Sequence, residues 1–165
     1  MSNTTALLSL VVPVCNEDEN IPLLTDRISS ALNGYTFELI YIDDCSTDGT
    51  REAIKKMNHP NVVMVELKKN YGQSLALAAG IDYANGDHII TMDGDLQNDP
   101  SDIPSMLKVA IEEDFDLVTG IRQKRKDSWL KKIPSKIANF LVRKITSLGI
   151  KDNGCALKVF SKDIA

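Results

Sequence analysis

The sequence predicts an α/β protein in which a mostly parallel sheet lies between two layers of helices. Short apolar runs alternate along the chain with segments of helical periodicity, which is typical of right-handed crossovers and a parallel sheet. The first run, Leu7–Val14, is apolar almost throughout, as expected of a strand covered on both faces. Polar and acidic residues follow several runs, where parallel strands present their carboxyl ends at one edge. The predicted architecture is therefore a three-layer α/β/α sandwich.

The later elements follow the same alternation. Helical spacing of apolar residues predicts a first helix over residues 21–32, ended by Asn33 and Gly34. Pro104 falls in the first turn of another predicted helix, where a missing N–H is tolerated. The further predicted strands are residues 37–42, 62–67, 88–92 and 116–120, and the further predicted helices are residues 50–57, 73–84, 102–113 and an amphipathic one at 135–148.

Length and composition fit one globular domain. A chain of 165 residues with 43% hydrophobic and 25% charged residues can bury a sizeable core, so residues 1–165 are predicted to form a single domain. No apolar stretch approaches the roughly 18 residues needed to cross a bilayer, and no basic segment that would indicate a secretory signal precedes the first run. Cys15, Cys45 and Cys155 are odd in number and widely spaced. They predict reduced cytoplasmic thiols and no zinc site.

The charges are divided unevenly along the chain. Residues 1–120 hold 7 basic and 20 acidic side chains, a net charge of −13, whereas residues 121–165 hold 12 basic and 3 acidic ones, a net charge of +9. A basic end of this size points to an anionic partner, which could be nucleic acid, anionic lipid or a phosphate-bearing substrate. The alternative is a solvated face without a partner.

Two carboxylates, Asp93 and Asp95, end the apolar run of residues 89–92. Carboxylate oxygens side by side suit Mg²⁺ or Mn²⁺, and no Cys or His lies in the motif to favour a softer metal. Gly94 is expected to let the chain turn and to let a ligand approach the backbone closely. The alternative interpretation is a polar turn after a strand.

Acidic or polar pairs also follow two earlier predicted strands. They are Asn16 with Glu17, and Asp43 with Asp44. Three such clusters at one edge of a sheet predict a pocket. Acids in its floor and a basic segment beside it suit a metal-bound diphosphate.

Four segments together resemble the successive signatures of family 2 glycosyltransferases: residues 11–17, 43–50, 70–73 and 92–100. The Asp-x-Asp-Leu-Gln form of the last segment, with the stretches 120–122 and 125–129, is similar to the branch that contains dolichol-phosphate mannose synthase and the bacterial polyprenyl-phosphate glycosyltransferases. The resemblance covers nearly the whole chain and implies the GT-A fold. It also implies a nucleotide-binding part over residues 1–120 and a basic acceptor-side part over residues 121–165.

The resemblance implies a role for each matching residue. Asp44 would accept hydrogen bonds from the nucleotide's base or ribose. Asp93 and Asp95 would face the metal and the diphosphate, and Gln97 the sugar or the acceptor. The remaining implied nucleotide-sugar contacts are Pro13, Asn16, Glu17, Gly72, Arg122, Arg125 and Ser135.

Two positions depart from the family pattern. Cys45 stands where the family usually has Gly, and Cys15 where an aromatic residue is common. Neither change removes a charge, so both bear on the shape of the pocket more than on its chemistry.

The implied activity is that of a metal-dependent, inverting hexosyltransferase. Its donor would be a UDP- or GDP-sugar and its cofactor Mg²⁺ or Mn²⁺. The acceptor would be a polyprenyl phosphate, which is already an anion and needs no general base. Asp152 is a candidate base or metal-side group, with a turn aspartate as the alternative reading. The alternative enzyme is a soluble family 2 glycosyltransferase that acts on a saccharide hydroxyl in cell-wall or surface polysaccharide synthesis.

The expected partners and location follow from the same resemblance. No nucleic acid is expected, and a homo-oligomer is left open. Residues 162–165 resemble the opening turn of a helix, so we expect a chain truncated at its C-terminus. The full protein is expected in the cytoplasm, peripheral to the membrane or anchored in it by segments absent from this chain.

Two other classes remain as competing hypotheses. Asp93 and Asp95 could be the nucleophile pair of an aspartyl-phosphate phosphohydrolase, although that pair is expected on the first strand with Thr following. A non-catalytic module, either a phosphorelay receiver or a nucleotide-sugar binding domain, is the second. A receiver would leave the basic end unexplained.

Overall fold

The computed structural model describes residues 6–121 and 154–164, and within these ranges six strands form one sheet. The strands are β1 (Leu7–Val14), β2 (Thr36–Asp43), β3 (Val62–Glu66), β4 (His88–Thr91), β5 (Leu117–Thr119) and β6 (Lys158–Ser161). They lie in the order β3-β2-β1-β4-β6-β5. β1 pairs in parallel with β2 and β4, and β2 with β3, whereas β6 runs antiparallel to both of its neighbours. The prediction of a mostly parallel sheet is confirmed.

Four helices flank the sheet in the described ranges. They are α1 (Asn20–Ala31), α2 (Thr50–Met57), α3 (Gln73–Tyr83) and α4 (Ile103–Glu112). Single 3₁₀ turns occupy Pro100–Asp102, directly before α4, and Lys162–Ile164. None of these helices is long and apolar enough to cross a membrane.

Alternate residues of β1 serve two separate cores. Leu10 and Val12 pack into a large cluster with α1 and α4, whereas Val11 packs on the opposite face with Ile42 and α3. Side chains of a strand alternate between the faces of a sheet, so a strand in the middle layer carries apolar residues on both faces. This explains the continuous apolar run in the sequence and confirms the three-layer sandwich.

Helix α3 lies unusually close to the sheet at Gly80. A Cβ on this residue would lie 2.9 Å from Cγ1 of Ile42 and closer still to Cγ1 of Val11. Contacts under 3.0 Å would force the helix or the strands to shift. The absence of a side chain at Gly80 therefore allows α3 to pack this closely against the sheet. The position of α3 matters because its first turn borders the functional cleft.

The predicted elements agree with the structure to within a few residues, apart from two differences. The helix predicted over 102–113 begins with the 3₁₀ turn and becomes α-helical at Ile103. Strand β6 was missed, because four residues inserted antiparallel between β4 and β5 give no local signal of their pairing. The predicted amphipathic helix at 135–148 lies outside the described residues.

Candidate functional site

An open cleft of about 320 Å³ lies at the carboxyl ends of β1, β2 and β4. This is the edge of a parallel sheet at which ligands bind in open α/β folds. The cleft brings together six of the predicted site residues: Pro13, Glu17, Asp44, Gly72, Asp93 and Asp95. Five further residues line it, namely Val14, Cys15, Asn70, Gln73 and Gly94.

The loop after β1 is joined to the loop after β2 by side-chain hydrogen bonds. Asn16 donates its backbone N–H to Oγ of Ser46 (2.9 Å), and its side-chain oxygen accepts the N–H of Thr47 (2.8 Å). The backbone N–H of Glu17 donates to Oγ1 of Thr50 (2.8 Å). Through these hydrogen bonds Asn16 holds the two loops together. Asn16 is not among the residues that line the cleft.

The backbone at Cys45 takes a conformation that favours glycine. Its φ is +63°, in the left-handed region. Residues with a Cβ adopt this conformation at a cost of roughly 1–2 kcal/mol, whereas glycine adopts it readily. The consequence of Cys45 at this position is therefore a strained backbone turn, with no change in charge.

Adjacent acids at the end of β2 have different partners. The Asp43 carboxylate is fully buried, accepts Nε of Arg51 at 2.6 Å and accepts the N–H of Ser46 at 3.2 Å. The hydrogen bond from Arg51 to Asp43 raises the pKa of the Arg51 guanidinium above its ordinary value, so Arg51 remains charged. Asp43 thus anchors α2 to the end of β2 and does not line the cleft.

The neighbouring Asp44 holds the loop before α3. Its two carboxylate oxygens accept the backbone N–H groups of Tyr71 (2.7 Å) and Gly72 (2.8 Å). Gly72 has a φ of +85°, which lets the chain enter α3 directly after these bonds. Sequence reasoning missed this contact because it joins two segments that local pattern cannot relate.

The turn after β4 presents Asp93 and Asp95 to the cleft. Oδ1 of Asp93 accepts the side-chain amide of Gln73 at 2.6 Å, and Oδ1 of Asp95 accepts the backbone N–H of Gln97 at 3.1 Å. The side chain of Gln97 is exposed and does not line the cleft. Leu96 has a φ of +61°, so the turn after Asp95 holds a strained residue beside the site.

Gly94 lines the cleft and also packs closely within the protein. Its φ does not lie in the left-handed region. A Cβ here would lie 2.9 Å from Cγ1 of Val14, so the missing side chain lets the turn pack against the end of β1. The close approach is made by the protein's own side chain.

Residues 9–165 match the model of glycosyl transferase family 2. The chain belongs to that family. The resemblance seen in the four sequence segments is confirmed.

Two curated relatives place it near the polyprenyl-phosphate branch of family 2. The chain is 46% identical over 163 residues to a dodecaprenyl-phosphate galacturonate synthase of Rhizobium johnstonii, covering 95% of this chain and 48% of the relative. It is 39% identical over 170 residues to an undecaprenyl-phosphate 4-deoxy-4-formamido-L-arabinose transferase of Aeromonas hydrophila, covering 99% and 52%. The chain therefore spans about half the length of these relatives.

Solved structures confirm the GT-A fold. A mannosyltransferase of Pyrobaculum calidifontis, in complex with GDP-Man and Mn²⁺, matches with a TM-score of 0.72 at 20% identity, over 95% of this chain and 45% of that one. Glucosyl-3-phosphoglycerate synthase of Mycobacterium tuberculosis matches with a TM-score of 0.76 at 23% identity, over 98% and 60%.

The donor set of this family 2 cleft suits a metal that arrives with its substrate. In the described ranges, no group of three or more His, Cys, Asp or Glu residues could hold a metal ion. Mg²⁺ is commonly bound by one or two carboxylates together with water and substrate phosphates, and Mn²⁺ accepts the same oxygen ligands. Asp93 and Asp95 fit that pattern.

The remaining predicted site residues are Arg122, Arg125, Ser135 and Asp152, and they lie outside the described residues.

Proposed function

We propose that this chain is the catalytic part of an inverting glycosyltransferase that moves a sugar from a nucleoside-diphosphate donor to a polyprenyl phosphate. The observation that carries the proposal is the grouping of Asp44, Asp93 and Asp95 in one cleft. It gains weight because the chain is 46% and 39% identical to two polyprenyl-phosphate sugar transferases.

The donor would lie along the cleft from the end of β2 to the turn after β4. Asp44 would meet the base or ribose, with Pro13, Glu17 and Gly72 beside it. The nucleotide of the donor could be UDP or GDP, since one solved relative binds GDP-Man and another binds UDP-Glc. Asn16 would act by holding the two loops that border the nucleotide.

Asp93 and Asp95 would hold a divalent cation at the diphosphate end. When bound, Mg²⁺ or Mn²⁺ supplies positive charge that stabilises the departing nucleoside diphosphate. Two solved relatives contain Mn²⁺ together with a sugar nucleotide, which supports a metal of this class. The carboxylates would orient the diphosphate so that the anomeric carbon faces the acceptor.

The proposed transfer is a single displacement. A phosphate oxygen of the acceptor forms a bond to the anomeric carbon while the bond from that carbon to the diphosphate oxygen breaks. The acceptor oxygen is already ionised, so no proton has to be removed from it, and the nucleoside diphosphate leaves with the electron pair. Gln97 is proposed for the sugar or acceptor side. Asp152 would be needed as a base only if the acceptor were a hydroxyl.

The basic part of the sequence is proposed as the acceptor side. Arg122 and Arg125, with Ser135, would bind phosphate groups, and cations near an anionic membrane contribute about 1 kcal/mol each. The full protein would then work at the cytoplasmic face of the membrane, in cell-envelope synthesis.

The test offers lipid and sugar acceptors to the same protein. Labelled UDP- and GDP-sugars are incubated with the full-length protein and, separately, with this 165-residue chain. Each mixture receives a short-chain polyprenyl phosphate or soluble saccharides, with Mn²⁺ or with EDTA. We expect transfer to the lipid phosphate in Mn²⁺, with the full-length protein more active. Efficient transfer to a saccharide hydroxyl alone would identify a soluble family 2 enzyme. Binding of nucleotide without any transfer would indicate a non-catalytic module.

A further inference from the structure

We infer that Gln73 is a positioning residue, which fixes the Asp93 carboxylate in the orientation that the metal-bound diphosphate requires. The inference rests on the proposed function and extends it to Gln73, which ends one of the four signature segments, residues 70–73, but had no role assigned to it. Gln73 lines the same cleft as Asp93 and Asp95.

The contact between the two side chains is direct. Nε2 of Gln73 donates to Oδ1 of Asp93 at 2.6 Å, although the residues are 20 positions apart. Gln73 is the first residue of α3, and Asp93 follows β4. The bond therefore ties a helix on one face of the sheet to the acidic turn at its edge.

The donor is held in place from two sides. Directly before it, the backbone N–H groups of Tyr71 and Gly72 are bound by the Asp44 carboxylate. Behind it, α3 is seated on β1 and β2 through the close contact at Gly80. A donor fixed in this way can restrict the rotation of a carboxylate, which a donor on a mobile loop cannot do.

The neutral charge of the amide suits this task. A Lys or Arg at the same position would also donate to Asp93, but its positive charge would compete with a divalent cation for the carboxylate. An amide orients the oxygen without adding a positive charge beside the acid. Residues that orient metal ligands typically change metal affinity by 10–100-fold when they are replaced.

The experiment separates the metal-dependent part of nucleotide affinity from the rest. Gln73→Met keeps the length of the side chain without the donor, and Gln73→Lys keeps a donor but adds a charge. Ser74→Ala, at the next and exposed position of α3, is the matched control. Calorimetry measures UDP and GDP binding to each full-length protein in Mn²⁺ and in EDTA, and thermal unfolding without ligand checks the fold.

We expect the ratio of affinity in Mn²⁺ to affinity in EDTA to fall about tenfold or more in Gln73→Met and further in Gln73→Lys. Ser74→Ala should keep the ratio of the parent protein. An unchanged ratio in Gln73→Met would overturn the inference. If the ratio stayed the same because affinity fell equally in Mn²⁺ and in EDTA, Gln73 would contact the nucleotide itself. If the unmodified protein bound neither nucleotide, the proposed function would fail instead.

Discussion

Asp44 accepts a hydrogen bond from the backbone N–H of Gly72 at 2.8 Å, although the two residues are 28 positions apart and belong to different strand–helix connections. A second bond, from the N–H of Tyr71, occupies the other carboxylate oxygen. One acid at the end of β2 thus sets the path of the chain into α3. The residue proposed to meet the nucleoside is also the residue that shapes the opposite wall of its cleft.

Replacing Asp44 should therefore lower stability as well as nucleoside recognition. Hydrogen bonds to charged groups contribute about 1.5–3 kcal/mol, and in Asp44→Ala two part-buried backbone donors lose their acceptor. We expect the free energy of unfolding in urea to fall by about 2–3 kcal/mol. Asp95→Ala is the control, because the Asp95 carboxylate accepts only a local N–H, from Gln97, in the described ranges. Equal stability of the two variants would contradict the anchoring role of Asp44.

Metal dependence is tested most directly at the turn after β4. Asp95→Asn keeps the shape of the side chain and an oxygen for the Gln97 N–H, but removes the charge that would hold Mg²⁺ or Mn²⁺. We expect calorimetry to show that Mn²⁺ no longer strengthens UDP or GDP binding in this variant. Asp82→Asn removes an exposed acid near the other end of α3 and should leave the Mn²⁺ effect intact. Affinity of the unmodified protein that is identical in Mn²⁺ and EDTA would refute the role of the metal.

The left-handed turn at Cys45 leads to a prediction of increased stability. Glycine would relieve a conformational cost of roughly 1–2 kcal/mol, offset in part by its greater freedom in the unfolded chain. The thiol also lies beside the Arg51 guanidinium, and that contact would be lost. We expect Cys45→Gly to raise the free energy of unfolding by up to about 1 kcal/mol.

A β-branched residue at the same position provides the opposite test. Cys45→Val should lower stability, because a branched side chain crowds the backbone further at positive φ. The two variants should lie on either side of the parent protein in urea unfolding. A lower stability for Cys45→Gly than for Cys45→Val would show that side-chain contacts outweigh backbone strain at this turn.

The sequence predicted the sheet and the cleft for physical reasons that acted locally. Leu7–Val14 is apolar almost throughout because both of its faces are covered. Asp93 and Asp95 are separated by one residue, so their proximity needed no knowledge of the fold. The pairing of β6 and the bond between Gln73 and Asp93 depend on segments that are distant in sequence. No periodicity or spacing within either segment indicates such contacts.

The same limit explains the division between Asp43 and Asp44. The two acids are neighbours of the same type, and local pattern alone does not distinguish the one that anchors α2 from the one that lines the cleft. Only the family resemblance singled out Asp44, which does line the cleft. The pleat of the strand decides, because successive side chains point to opposite faces of the sheet. Arg51 lies on one side of β2 and the loop before α3 on the other.

Stability at alkaline pH should depend on a single buried phenol. Tyr41 is fully buried on β2, and its hydroxyl pairs with Oγ1 of Thr25 on α1 at 2.8 Å. Burial raises the pKa of Tyr41 to about 12, and the hydrogen bond with Thr25 opposes that shift only in part. An unfolded tyrosine has a pKa of about 10. Between these two values the unfolded chain gives up the proton while the native protein keeps it.

The sign of the effect follows from proton binding. Above pH 10 the unfolded state binds fewer protons than the native state, so the free energy of unfolding falls as the pH rises. The contribution of Tyr41 to the free energy of unfolding is fully present below pH 10 and is lost as the pH approaches 12. A difference of two pKa units between the native and unfolded states corresponds to a loss of about 2.7 kcal/mol in the free energy of unfolding.

Tyr41→Phe isolates this contribution from the titration of other groups. We expect the variant to be less stable at pH 8 by about 0.5–1.5 kcal/mol, because the Thr25 hydroxyl loses its partner on β2. Between pH 10 and 12, however, its stability should decline less steeply than that of the parent protein. Tyr83→Phe, at an exposed position of α3, should follow the parent curve. Urea unfolding at intervals from pH 8 to 12 measures all three, and parallel curves for Tyr41→Phe and the parent protein would show that Tyr41 ionises as readily in the native protein as in the unfolded chain.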